Sequence, residues 1–598
     1  DWSSDVCSSD LLSAMLLAMS LPAAAQAPGS VRADAAQLVA HAKRTSEKIT
    51  IDGRPDEAAW QTAELVRGLT QKEPDEDKPS SEETEFRILY DQEFLYIAAW
   101  CHDKNRSGLT LNNLKRDFDI QEQDYIGIML DTFADDRNGY FFAATVRGNQ
   151  RDLQFSDEGR NSNINWDGVW FSQGQETADG WTIEIAIPFN TLRFPRLREQ
   201  IWGLQVVRRI RSRNEVAFWA PIPRRYTAVT GVALAGELHG VEDVKPGRNF
   251  YVKPYLLAGV NRFASRREDT KFDPDAGVDL KYGVTSGLSL DLTVNTDFSH
   301  VEADTQQVNL TRFPLFFEEK REFFLENSGI FQFGTFNSEE ALLFHSRTIG
   351  LSGGQPIPIV GGARLSGRTG EFSLGLLNMQ TRSHEAEPAT NFSVLRVRRN
   401  LLGRSDVGAM FLNRQSSLPN DRNRAFGADG NLVLRQNTVR FSGALAQTWE
   451  PGREGDSRLL KAEADYSVSL FRATGSIVDI GRNFNPRMGF VRRRDRRLLR
   501  NFLEYKPRFS PNTRIGHFVR DVFFTNTTLH TLFGNGGTET KYMLSMVRVS
   551  FQDSSEAGGH YEQNFERLRQ PFEVSRGVIL PVRDYHFNEA KLFYYSDS

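Results

Sequence analysis

Strict alternation of apolar and polar side chains dominates the chain beyond about residue 245. In the segment 287–298, one face carries Leu288, Leu290, Leu292 and Val294, and the other carries Ser289, Asp291, Thr293 and Asn295. The segment 459–471 repeats the pattern. Because successive side chains of a strand point to opposite faces, each segment has one apolar and one polar face. Such faces suit lipid on one side and a lumen on the other, so the pattern predicts an antiparallel transmembrane β-barrel over 245–598.

A soluble β-sandwich would show a similar alternation, so the pattern alone leaves this alternative open. The length of the segments and the lone charges on one face favour the barrel, with strands expected at 250–260, 277–283, 288–298, 371–379, 391–399, 405–413, 438–449, 459–471, 497–506 and 541–551. Outer-membrane lipid is then the expected surroundings. The net charge is −4 and no basic stripe suggests nucleic acid, so no nucleic-acid partner is expected.

The two ends of the chain carry export and processing signals. Residues 1–10 are acidic, lack an initiator methionine and are interpreted as non-native. Residues 11–27 combine an apolar run with Ala-x-Ala sites, which predicts a signal peptide. Cleavage of the signal peptide would also remove Cys7 and leave Cys101 as the single cysteine. Cys101 is interpreted as a buried, inert thiol. The end at Ser598, directly after a strand-like run, is interpreted as a truncation of the barrel.

The region 45–240 has a different texture, with short strand-like runs and turn signals. Seven of the nine tryptophans lie between Trp60 and Trp219. The Asn138-Gly139 pair marks a hairpin, and the run WTIEIAIPF ends at Pro188, as a strand should. Many short strands with regular turns predict a jelly-roll-like β-sandwich, and the whole chain is therefore assigned to the all-β class.

Four segments of this region resemble the family 9 carbohydrate-binding modules: ITIDGRPDEAAW (49–60), LYIAAWCHD, DYIGIMLDT and GWTIEIAIPF. The resemblance implies that an oligo- or polysaccharide binds between aromatic faces and that structural calcium supports the fold. A pyranose offers an apolar face to an indole ring and hydroxyls to carboxylates.

Two groups of residues are candidates for these roles. Trp166, Asp167 and Trp170 lie in the loop-like run NINWDGVW and are the predicted sugar-binding residues, although tryptophans of such a domain also serve as core. Calcium could take oxygen ligands from Asp131, Asp135 and Asp136, and the alternative is a solvated hairpin turn.

An insertion at 299–336 interrupts the alternation, with phenylalanines flanking a charged run. Pro314 is placed to open a helix and Asn327-Ser328-Gly329 to end it, so the sequence predicts a helix-containing insertion that fills the lumen or caps one mouth. This run, with FHSRTIGL, IPIVGGARLSGRTG and FNPRMGFVRR, resembles a bacterial outer-membrane family described as domain of unknown function 5916. The resemblance implies the architecture and no established activity.

Three functions are compatible with these features. The first is glycan capture or uptake, with the insertion lining a sugar path; its charges could instead form internal ion pairs that fix the insertion. The second is a glycoside hydrolase that uses lumenal or insertion carboxylates, with Glu318 and Glu322, or Asp297 with Glu302 and Asp304, as weak candidates. The third is a membrane-anchored docking protein. In all three the expected location is the outer membrane, with the sandwich in the periplasm.

Overall fold

The computed structural model describes residues 38–596, with gaps at 106–107, 110–114, 157–158, 160, 165, 225, 227–230, 247–249, 262–270, 286, 297–305, 310, 353–354, 385, 402–403, 436–437, 511 and 554. The predicted signal peptide and non-native residues lie outside the described residues, as do Asp297, Glu302 and Asp304. Val39–Ser598 form one unit, and of the other unit, Asp1–Leu38, only Leu38 is described.

The N-terminal domain consists of two sheets. Their strands are β1 (Val39–His41), β2 (Lys43–Arg44), β3 (Val66–Arg67), β4 (Thr70–Glu73), β5 (Thr84–Tyr90), β6 (Phe94–His102), β7 (Tyr125–Asp131), β8 (Gly139–Thr145), β9 (Gln150–Ser156), β10 (Asn161–Asn163), β11 (Phe171–Thr177), β12 (Gly180–Pro188), β13 (Glu199–Ile210), β14 (Glu215–Phe218) and β15 (Gly236–Glu242). The first sheet has the order β1-β15-β13-β7-β8-β9-β10, with β14 on β13 and β4 on β14. The second has the order β11-β12-β6-β5-β2, with β3 on β5. Phe86 of the second sheet packs edge-on against Trp219, which follows the first, so the sheets form a sandwich.

Glu184 ties the N-terminal segment to the second sheet. Its side chain is fully buried and accepts hydrogen bonds from the backbone N–H groups of Asp52 and Gly53 (3.1 and 3.0 Å) and from Nε1 of Trp60 (3.2 Å). Gly53 has φ +86°, and a Cβ there would lie 2.9 Å from the backbone of Gly174, so this turn requires glycine. The short helix α1 (Ala58–Thr62) thereby covers the outer face of the sheet.

The C-terminal region forms one antiparallel sheet of 16 strands. In order they are β16 (Tyr251–Asn261), β17 (Lys271–Gly283), β18 (Leu288–Val294), β22 (Ile359–Thr369), β23 (Phe372–Thr381), β24 (Thr390–Leu401), β25 (Ser405–Ser416), β26 (Arg422–Leu434), β27 (Val439–Trp449), β28 (Arg458–Ser467), β29 (Phe471–Ile480), β31 (Arg496–Tyr505), β32 (Val519–Phe533), β33 (Thr538–Phe551), β34 (Glu556–Arg567) and β37 (Asp584–Tyr595). The two-stranded pairs are β19 (Ala341–Leu342) with β30 (Phe490–Val491), β20 (Leu351–Ser352) with β21 (Gln355–Pro356), and β35 (Phe572–Ser575) with β36 (Val578–Leu580). The predicted all-β class is confirmed. The described strands β16 and β37 are the two edges of the sheet, and no pairing closes them into a barrel.

The two faces of this sheet differ as the alternation predicts. On one face Ser289, Asp291 and Thr293 are buried. On the other face Leu376, Leu395, Phe411 and Phe426 are direct cross-strand partners on four neighbouring strands. These four side chains are 39–46% exposed, so they form a continuous apolar row on the outer surface.

The segment 311–358, here named the plug, packs against the inner face. Its Phe323, Phe331 and Leu343 share one hydrophobic cluster with Met379 and Met410 of the sheet. The prediction of a helix from Pro314 to Asn327 is wrong in extent, because only α2 (Glu322–Leu325) is helical, followed by 3-10 turns at Ser328–Phe331 and Ser346–Thr348.

Tertiary hydrogen bonds explain the short helix. Arg321 donates to the carbonyl oxygens of Ile349 (2.6 Å) and Ser346 (2.7 Å) and pairs with Glu319 (2.6 Å). These bonds hold the preceding segment in a non-helical path. None of the helices in the described part of the chain is long and apolar enough to cross a membrane.

Polar contacts join the sandwich to the sheet and the plug. Arg137, in the β7–β8 turn, is 2% exposed and pairs with Asp406 of β25. Arg193 pairs with Glu326 of the plug (2.5 Å), and Glu73 pairs with Arg508 through two bonds of 2.7 Å. The sandwich therefore sits directly on the end of the sheet and touches the plug.

Candidate functional site

The two tryptophans predicted to bind sugar lie in the interior of the sandwich. Trp166 is 9% exposed and Trp170 is 4% exposed. The ring of Trp166 lies 5.2 Å from that of Tyr140, and the ring of Trp170 lies 5.3 Å from that of Phe142 in an edge-on contact. In this conformation both indole rings pack as core, and neither presents an open face to a sugar.

Asp167, between them, is on the surface, with a side chain that is 73% exposed. It accepts a hydrogen bond from Nε of Arg116 (3.1 Å), and the same guanidinium donates to Gln150 (2.9 Å) and to the buried Asp152 (2.7 Å). Burial raises the pKa of Asp152 to about 6, although Gly168 and Arg116 both donate to it and oppose the shift. This network gives the loop a fixed set of polar groups.

An exposed aromatic side chain, which the sequence reasoning missed, follows the same loop. Because Trp166 and Trp170 point inward, Asp167, Val169 and Phe171 are exposed, the last two by 56% and 49%. The sequence contains a signal for this exposure, because side chains in an extended segment point alternately inward and outward. The residue next to a buried tryptophan therefore points outward. We name Asp167, Val169 and Phe171, with Arg116, the β11 surface. Its aromatic, aliphatic and charged groups can offer both stacking and hydrogen bonds.

The three aspartates predicted to bind calcium form the β7–β8 turn. Both carboxylate oxygens of the buried Asp131 accept backbone N–H groups, from Phe133 (3.1 Å) and Asp136 (2.8 Å). Burial raises the pKa of Asp131 to about 7. Asp135 accepts from the backbone N–H groups of Arg137 and Asn138 and pairs with Arg368 of the sheet. The carboxylates of Asp131 and Asp135 already accept backbone N–H groups, and Asp135 also pairs with Arg368. This arrangement does not fit a calcium ion, and it docks the turn on the sheet.

A different set of potential ligands lies on the second sheet of the sandwich. Ligand atoms of Glu83, Glu85 and His102 all lie within 4.8 Å of one another, the single such group in the described ranges. Arg67 pairs with Glu85 at 2.5 Å and lies 3.8 Å from Glu83. The guanidinium therefore already supplies a positive charge to these carboxylates.

The carboxylates considered for catalysis, Glu318 and Glu322, are both exposed. Glu322 pairs with Lys253 at 2.5 Å, at the surface. The less exposed carboxylates of the plug are instead Glu319, Glu326 and the buried Glu340, and all three are held in ion pairs. The structure thus does not bring Glu318 and Glu322 into an enclosed site.

The inner face of the sheet encloses a cavity of about 590 Å³ next to the plug. Its walls are phenylalanines and amides of the plug together with charged side chains of β24, β26, β28 and β29. Tyr226 of the sandwich also lines it. This volume lies within the range of roughly 300–1,000 Å³ that is usual for small-molecule sites.

Two family models match the chain. Residues 51–210 match the carbohydrate family 9 binding domain-like model, and residues 246–358 match the domain of unknown function 5916. The resemblance predicted from the sequence motifs is therefore confirmed for both parts. No curated protein sequence matches the chain.

Several solved structures are similar to parts of the chain. A carbohydrate-binding module family 9 from Caldicellulosiruptor kristjanssonii in complex with cellotriose is 15% identical, with 34% of this chain and 96% of that chain covered and a TM-score of 0.26. A putative carbohydrate-binding protein from Bacteroides uniformis is 12% identical, with 34% and 100% covered and a TM-score of 0.29. Acinetobacter baumannii OccAB2 is 8% identical, with 79% and 97% covered and a TM-score of 0.27.

Proposed function

We propose that the protein is an outer-membrane protein that binds carbohydrate through its N-terminal sandwich. The observation that carries the proposal is the match of residues 51–210, nearly the whole sandwich, to the carbohydrate family 9 binding domain-like model. The C-terminal sheet holds this sandwich at the membrane. Capture of a glycan is then the first step in its use or uptake.

The outer face of the sheet supports the membrane location. The row formed by Leu376, Leu395, Phe411 and Phe426 would expose a contiguous apolar surface to water, which is costly for a soluble protein. Against lipid the same row is favourable, and the polar side chains face the plug. The alternation thus gives the strands one face that suits lipid and one that suits a polar interior.

The lengths of the connections support a periplasmic sandwich. At the end where Arg137 and Arg368 dock, most turns are short, such as 370–371 and 468–470. At the other end most connections are longer, such as 450–457 and 568–583, although 534–537 is short. Outer-membrane proteins place short turns in the periplasm and long loops outside. The docked sandwich therefore belongs on the periplasmic side.

The β11 surface is the proposed contact for the glycan. Phe171 offers a ring to the apolar face of a pyranose, and Asp167 with Arg116 offers partners to its hydroxyls. The buried Trp166 and Trp170 fix the backbone beneath these groups.

A glycan array probed with the full chain in detergent micelles tests the carbohydrate function. We expect binding to a defined set of glycans and its loss in the double variant Phe171→Ala, Asp167→Ala. Leu197→Ala, which removes another exposed apolar side chain elsewhere on the sandwich, is the matched control and should bind normally. If the full chain binds no glycan on the array, the proposed function is wrong.

Membrane insertion is tested by Phe411→Arg on the outer face. At the centre of a bilayer an outward arginine costs about 2–4 kcal/mol, so the yield of membrane-inserted protein should fall. Gln173→Arg, at an exposed position of the sandwich, should insert like the wild type. Equal insertion of both variants would contradict the assignment of the outer face.

A further inference from the structure

The cavity next to the plug has walls from all three parts of the protein. The sandwich contributes Tyr226, the plug contributes Phe333 and Phe336, and the sheet contributes Asp465 and Arg472. A molecule that fills the cavity would touch the sandwich, the plug and the sheet together.

Arg396 and Arg398, on the cavity wall, are already neutralised by carboxylates. Arg396 makes two bonds to Asp429 (2.5 and 2.8 Å), and Arg398 makes two to Asp406 (2.8 and 2.9 Å). An anionic ligand would have to compete with these carboxylates. A neutral ligand that donates and accepts hydrogen bonds meets no such competition.

Asp465 keeps hydrogen-bonding capacity on the cavity wall. Arg472 (3.1 Å) and the hydroxyl of Thr474 (2.5 Å) both donate to Oδ2 of this carboxylate. Among the described residues nothing donates to its Oδ1, and the side chain is 21% exposed. A hydroxyl group of a ligand can therefore donate to Oδ1.

The plug adds a paired aromatic surface and an unsatisfied hydroxyl. The rings of Phe333 and Phe336 are nearly parallel, with centroids 6.1 Å apart and an angle of 7°. Nζ of Lys461 lies 5.2 Å from the centroid of the half-buried Phe336 and helps to hold that ring. Thr335 lies between Phe333 and Phe336 in the sequence. Its buried Oγ1 has no hydrogen-bond partner within the described part of the chain. A buried hydroxyl in that state favours a ligand with polar groups.

We infer that this cavity is a second carbohydrate site, which takes a short neutral oligosaccharide between the plug and the sheet. The inference rests on the proposed carbohydrate function and extends it to a site inside the sheet. An apolar sugar face lies against Phe336, and hydroxyls bond to Asp465 and Thr335. Ion-paired arginines, aromatic rings and free hydrogen-bonding atoms together suit a neutral polyol.

Isothermal titration calorimetry on the full chain in micelles tests the inference. The neutral probes are cellotriose, maltotriose, xylotriose and chitotriose, and the anionic probe is trigalacturonate. We expect a neutral probe to show two classes of sites. Phe336→Leu and Asp465→Asn should each weaken one class by at least about tenfold. Tyr466 follows Asp465 on β28 and points to the opposite face of that strand. The control variant Tyr466→Leu should leave both classes of sites intact.

The outcomes separate this inference from the proposed function. If the cavity variants have no effect while Phe171→Ala, Asp167→Ala abolishes all binding, the internal site is wrong and the sandwich function stands. If no neutral probe binds at the cavity, the internal site is overturned, and the glycan array decides separately whether the sandwich function stands. If trigalacturonate alone binds, and binds more tightly to Asp465→Asn, the cavity is an anion site and the assigned ligand class is wrong.

Discussion

The buried ion pair between Lys461 and Glu340 should control how firmly the plug is held. Lys461, on β28, is 2% exposed and Glu340, on the plug, is 4% exposed, with Nζ and the carboxylate 2.9 Å apart. Lys461 also donates to the carbonyl oxygen of Thr335 at 2.7 Å. Lys461→Met keeps much of the side-chain volume but leaves a buried carboxylate without its cation.

Removal of one partner of a buried pair costs about 3–5 kcal/mol, mostly because the remaining charge stays buried. Glu340 can avoid this cost by local opening of the plug. At the lower bound, about 3 kcal/mol, the open state becomes roughly 150-fold more populated. Amide hydrogen exchange of peptides within 334–345, followed by mass spectrometry in micelles, should accelerate by roughly that factor. Exchange in the sandwich strands β7 and β8 is the internal control.

The double variant Lys461→Met, Glu340→Gln separates charge from packing. Because replacement of both partners is often close to neutral, it should regain most of the protection. Wild-type exchange in Lys461→Met, or a double variant that exchanges as fast as the single one, would refute the reasoning.

Three further predictions concern the sandwich. Trp170→Ala should lower its free energy of unfolding by about 3–5 kcal/mol, whereas the exposed Phe171→Ala should change it by under ~1 kcal/mol, both followed by tryptophan fluorescence under urea. Burial and the neighbouring Glu57 raise the pKa of Glu184 from 4.5 to about 7, so the folded state binds this proton more tightly. The resulting stabilisation is complete below about pH 4.5 and is lost as the pH rises to 7. Between pH 5 and 8 the free energy of unfolding should therefore fall by roughly 2–3 kcal/mol. In Glu184→Gln this part of the fall should be missing. Burial raises the pKa of Cys101 to about 11, so a thiol reagent at pH 8 should label it only after urea unfolds the sandwich. Peptide mass spectrometry distinguishes Cys101 from Cys7, and labelling of Cys101 in the folded protein would contradict this.

The alternation rule located the faces of the strands because it depends only on backbone geometry. The predicted inward set of Ser289, Asp291 and Thr293 is buried, and Val294 on the opposite face is 55% exposed. The rule failed at 459–471, where Val468 and Leu470 continue the pattern although the chain reverses between β28 and β29. A turn of three residues that happens to preserve the alternation leaves no signal in the pattern.

The site residues depended on contacts that are distant in sequence. The run NINWDGVW has the composition of a loop, yet the rings of Trp166 and Trp170 are buried because they meet Tyr140 and Phe142 of β8. The aspartates around Asp131 have the composition of a cation site, yet their turn meets Arg368, more than two hundred residues away. Local sequence reports what a side chain can bind, and only the fold reports which partner reaches it.

The polar character of the contacts between sandwich, plug and sheet bears on how the two proposed sites work together. Apolar surfaces can slide against each other, whereas the paired groups of Arg137 with Asp406 and of Arg193 with Glu326 match in a single orientation. Glu326 also pairs with Lys281 of β17, so one carboxylate joins all three parts. Since Tyr226 of the sandwich lines the cavity, its shape depends on this docked arrangement. The sandwich is therefore one wall of the internal site, and a change in its docking would alter both proposed carbohydrate sites together.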